Sequence, residues 1–153
     1  MRIPNININI NTTTRRLLLG ATGLSLLAAS LLALPGCSTP GAPAQAVSLL
    51  APANGATVSS PFTVRFGVQG MAVAPAGDVV ANSGHHHLVI NAGPVAAGAS
   101  VPFNEQHLHF GRGQTEAEVS LPPGTYKLTA QFANGAHQSY GPAMSQTITV
   151  TVK

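Results

Sequence analysis

The chain has 153 residues, with 7 Lys and Arg against 4 Asp and Glu, 16 glycines, 12 prolines and a single cysteine. That length suits one modest domain, and one cysteine excludes an internal disulfide. Arg2, Arg15 and Arg16 precede or flank a long apolar run, beyond which Arg65, Arg112, Lys127 and Lys153 balance Asp78, Glu105, Glu116 and Glu118; a near-neutral domain with no basic cluster excludes nucleic acid as a partner.

Residues 1–36 read as an export signal, because Arg15 and Arg16 lead into "LLLGATGLSLLAASLLALPG", an uncharged run rich in small and apolar residues. Leu34-Pro35-Gly36-Cys37 resembles the lipobox of bacterial lipoproteins, in which cleavage precedes a cysteine that carries the acyl chains; Pro35 departs from the usual motif. The resemblance implies a lipoprotein of the bacterial cell envelope, facing the periplasm and held to the membrane through an acyl anchor on Cys37. An ordinary secretory signal with a leftover thiol is the alternative, and "TRRLLL" also resembles a twin-arginine signal, so the export route stays open. Residues 37–45, "CSTPGAPAQ", carry no periodic apolar pattern and read as the lipidated cysteine and a flexible tether.

The folded domain is expected over 46–153. "AVSLLAP" is its first strand, closed by a turn at Ala53-Asn54-Gly55. From Phe62, "FTVRFGVQG" sets Phe62, Val64, Phe66 and Val68 on one face and Thr63, Arg65, Gly67 and Gln69 on the other. Similar short segments follow in "HHHLVINA", "QTEAEVSLP", "GTYKLTAQFANG" and "QTITVTVK", and no window sustains helical periodicity. About seven short strands separated by Gly and Pro predict an all-β, immunoglobulin-like β-sandwich. "LPPGTY" supports it: the hydroxyl of Tyr126 is expected to reach back to nearby backbone at the corner into a late strand.

The chemistry lies in "SGHHHLVIN" and "NEQHLHFGRG". Period two, with Leu88 and Ile90 turned into the core, puts His86 on their face and His85 and His87 on the other. In the second segment Leu108 and Phe110 share one face while His107 and His109 share the other. If the two segments pair in a sheet, side chains roughly 5 Å apart across the strands converge. Neutral imidazoles suit Cu and Zn. The expected ligands are therefore His85, His87, His107 and His109, with His86 as a further candidate, and Asp78 and Glu105 are the nearby acids able to orient a ring. His137 is assigned to a loop, and Met71 to packing rather than to a soft metal. No G-x-S-x-G elbow or paired carboxylates mark a catalytic centre. A metalloenzyme would need three ligands, an open position and a base such as Glu105.

"PANGATVSSPFTVRFGVQGMAVAPAGD", "SGHHHLVINA", "HLHFGRGQTEAEVSLPPGTYKL" and "ITVTV" together resemble a bacterial family of short exported domains of unknown function, over residues 51–152. The resemblance implies the domain organisation and no activity; Asn91 stands where that family tends to carry an acid. A noncatalytic sandwich that packs against an envelope protein partner, its histidines fixing loops, is the alternative to a metal-binding domain.

Overall fold

The computed structural model describes residues 44–153. The export segment 1–36, Cys37 and the tether through residue 43 lie outside the described residues.

Alternation of apolar and polar residues makes strands, and their apolar faces set how they pack. β1 (Ala46–Ala51) and β7 (Glu116–Val119) flank β3 (Phe62–Gln69) in a three-stranded antiparallel sheet. In β3 the predicted face is the buried one, with Phe62, Val64 and Phe66 inside and Thr63 and Arg65 exposed. The second sheet runs β2 (Thr57–Val58), β9 (Ser145–Val152), β8 (Gly124–Ala133), β5 (Ser83–Ile90). Its far side is filled twice over. β4 (Ala72–Val73) runs parallel to the start of β5, and β6 (His107–Phe110) runs antiparallel to the rest.

The two sheets face each other in a sandwich-like, all-β architecture. Val47, Leu49, Phe62, Val64, Phe66 and Val119 of the first meet Leu88, Ile90, Leu128, Ala130, Phe132, Ile148 and Val150 of the second in one core. Leu88, Val64 and Val150 are fully enclosed, and each such side chain contributes about 1.5–3 kcal/mol on leaving water. Seven of the nine strands among the described residues coincide with segments whose alternation announced them. β2 and β4 are two-residue pairings, too short for any period to show.

The corner before β8 forms as expected: the Tyr126 hydroxyl donates to the Pro122 carbonyl at 2.9 Å. Tyr126→Phe is expected to cost about 1 kcal/mol, the usual net value of one hydrogen bond, and the urea midpoint of unfolding measures it.

β5 is buried at all eight positions. One face lies in the core, and two connections cover the other. The segment between β5 and β6 pairs with the chain after β8 through Gly98 N to Ser139 O (2.8 Å), Ser139 N to Ala99 O (2.9 Å) and Val101 N to His137 O (2.9 Å). Gln131, opposite His87 on the covered face of β8, holds both connections. Its Oε1 accepts from Val95 N at 3.0 Å, and its Nε2 reaches the carbonyls of Gly141 (3.2 Å) and Met144 (3.1 Å). This covered face carries the histidines.

Candidate metal centre

β5 and β6 are sheet neighbours, with His87 opposite His109 and Val89 opposite His107. His85, two residues before His87, lies opposite Ala133 at the end of β8. There the chain leaves the sheet in the turn Asn134-Gly135-Ala136-His137, closed by Asn134 Oδ1, which accepts from Ala136 N and Gln138 N at 3.0 Å each. The turn brings His137 back over His85.

Four imidazoles result. His87 Nε2 lies 3.0 Å from His85 Nε2, and His137 Nε2 lies 3.1 Å from His109 Nε2. One nitrogen each of His85, His109 and His137 all fall within 4.8 Å of one another. The ring centroids of this trio are 4.7–5.0 Å apart, and His87 sits 5.1 Å from His109 but 6.0 Å from His137. The trio is the compact set, and His87 stands at its side.

The structure separates the five expected candidates. His85, His87 and His109 come together. His107 shares their face, but its ring turns to Asn104, with Nδ1 2.8 Å from Oδ1. His86 points the other way, as its period requires: it stacks on Phe66 at 4.8 Å, edge-on to Phe132 at 4.9 Å, in the apolar core and away from the other rings. Asp78 and Glu105 are exposed, and Nδ1 of His85 and of His87 has no hydrogen-bond partner, so neither acid orients those rings. His137 was not among the expected ligands. Its signal lies in topology: a turn leaving the end of β8, beside the first histidine of β5, necessarily lands next to it.

Burial first, then the charges of His109, His137 and, least, His86 on the opposite face, push the His85 pKa down to about 4. Burial first and then His85, His109, His137 and His107 push His87 down to about 3. Burial and His137 lower His109 as well. At neutral pH these rings are uncharged, with one N–H and one lone pair apiece.

In the His85–His87 contact one Nε2 donates and the other accepts. The accepting ring then carries its proton on Nδ1, which is buried without a partner. The cluster is therefore poorly satisfied by hydrogen bonding alone. Metal–nitrogen bonds of about 2.0–2.1 Å set neighbouring nitrogens about 2.9 Å apart in a square and about 3.3 Å apart in a tetrahedron. The observed contacts of 3.0 and 3.1 Å fall between these values. The longest separation in the trio exceeds an edge, so full closure on an ion takes a further turn of a side chain.

One glycine guards the geometry. A Cβ on Gly111 would run into Cε1 and Nε2 of the His109 ring. Gly111→Ala is expected to push that ring out of the cluster and weaken metal binding by roughly 10–100-fold, the usual cost of disturbing a ligand's support; competition titration against a chelating dye reads it.

A family profile described only as a domain of unknown function matches residues 64–153, a span that includes every histidine of the chain. No curated protein and no solved structure matches the chain.

Proposed function

The chain belongs to that family, DUF4399, and from its histidine cluster we propose that it is a transition-metal-binding domain of the bacterial cell envelope, acting as a carrier or buffer for Cu or Zn. The observation that carries this reading is the convergence of His85, His109 and His137 from β5, β6 and the turn after β8. His87 stands beside them as a fourth nitrogen. An all-imidazole set favours borderline ions such as Cu(II) and Zn(II) over Ca or Mg, which require oxygen. Burial suits retention, because neutral rings need lose no proton to bind.

The setting comes from the sequence. The apolar run before Cys37, with Arg15 and Arg16 ahead of it, supports export and an acyl anchor, and the balanced charge of the domain gives the membrane no polybasic handle of its own. The protein partner is then another envelope protein that gives or takes the ion.

Elemental analysis of the purified full chain after metal loading and desalting tests the reading. One Cu or Zn per chain is expected, and none in the His85→Ala/His109→Ala variant. Equal retention by the two proteins overturns it. Fractionation of cells carrying Cys37→Ala tests the anchor, with loss of the protein from the membrane fraction as the expected result.

A further inference from the structure

His107 is the one ring on the covered face that the cluster does not use, and it is built differently from the others. Asn104 Oδ1 accepts from the Gln106 backbone N–H at 3.0 Å, which fixes that atom as the oxygen. The ring Nδ1 of His107, 2.8 Å from the same oxygen, must then be the donor. Nε2 is left with the lone pair. A backbone bond from His107 N to Asn104 O at 3.0 Å closes the same short turn and holds the ring in place. A carbonyl that fixes an imidazole's tautomer through the nitrogen not facing the metal is the support that ligand histidines usually have. His85 and His87 lack it.

Position adds to this. His107 and His109 lie two residues apart on one face of β6, about 7 Å along the strand. Both are half-buried, as is His137, whereas His87 is almost enclosed and His85 fully so. Exposure therefore falls along the row from His107 and His109 to His87 and His85. The three half-buried rings are the ones an incoming ion meets first; His109 and His137 turn their Nε2 atoms on each other at 3.1 Å, whereas His107, held through Nδ1, keeps its Nε2 lone pair for the ion.

We propose that His107, oriented by Asn104, is the receiving ligand of the site: it binds the incoming ion through Nε2 and passes it to His109 and the inner histidines. This deepens the metal-binding reading above and rests on it. The role is kinetic, so His107 speeds loading without adding to the final affinity.

Stopped-flow uptake of Cu(II) from its nitrilotriacetate complex by the purified full chain, paired with an equilibrium competition titration, tests the proposal. His107→Ala and Asn104→Ala are each expected to slow uptake roughly tenfold, the low end of the effect of removing a ligand's support, with equilibrium affinity unchanged. Asn104→Asp, which keeps an acceptor oxygen for Nδ1, is expected to load at the wild-type rate. Unchanged uptake in His107→Ala overturns the proposal. So does a loss of affinity matching the loss of rate, which would make His107 a permanent ligand. Failure of the wild-type chain to bind copper at equilibrium would instead overturn the metal reading itself.

Discussion

His137→Asn is expected to lower the affinity for the bound ion roughly 100-fold or more, as removal of a direct ligand should exceed the loss from disturbing its support, while leaving the metal-free fold intact. His137 occupies the left-handed region with φ 62°. Most side chains are strained there, but asparagine tolerates it nearly as well as any residue other than glycine. The substitution therefore removes the imidazole without disturbing the turn that Asn134 closes. Thermal unfolding of the metal-free variant should match the wild type, and a competition titration should show the lost affinity. Wild-type affinity in this variant would remove His137 from the site and with it the compact trio.

The second large effect concerns His86. Both of its ring nitrogens are buried without a partner, between Phe66 and Phe132. His86→Leu, similar in volume, is expected to stabilise the metal-free protein at neutral pH by about 1–3 kcal/mol, the cost of leaving a buried polar group unpaired. Burial pushes the His86 pKa down from 6.5 to about 4. The unfolded chain consequently takes up the proton first as pH falls. This ring therefore leaves stability independent of pH above pH 6.5 and lowers it progressively between pH 6.5 and about 4, a change on the order of 3 kcal/mol. His85 and His87 shift in the same direction and steepen the loss. Urea unfolding at pH 7 and pH 4.5 measures it: His86→Leu should narrow the gap between the two midpoints. A variant less stable than wild type at pH 7, with an unchanged gap, would contradict the account.

These residues show what alternation can and cannot reveal. Leu88 and Ile90 against His85 and His87, and Leu108 and Phe110 against His107 and His109, fix which way each ring leaves its strand. That much follows from period two. Pairing of the two segments was a conditional expectation, and the register of His87 opposite His109 is the form it takes. His137 was invisible as a ligand because a turn carries no period; its place depends on Ala133 lying opposite His85, a fact of strand register. The diversion of His107 was local, in "NEQH", where an asparagine three residues earlier competes for the ring. Burial of the outer face of β5 could not be read either. It comes from Gln131 gathering two connections that, by composition, resemble ordinary surface loops.

With Cys37 as its only cysteine, the domain has no disulfide with which to restrain its unfolded chain. An ion shared by His85, His109 and His137 would do that work non-covalently. It would staple together points 28 positions apart between His109 and His137, and a comparable span between His85 and His109. A covalent bridge over such a span is worth about 3–4 kcal/mol of lost chain entropy. Loading would then tighten β5, β6 and the turn after β8 as one unit, and amide exchange in those three stretches would slow together.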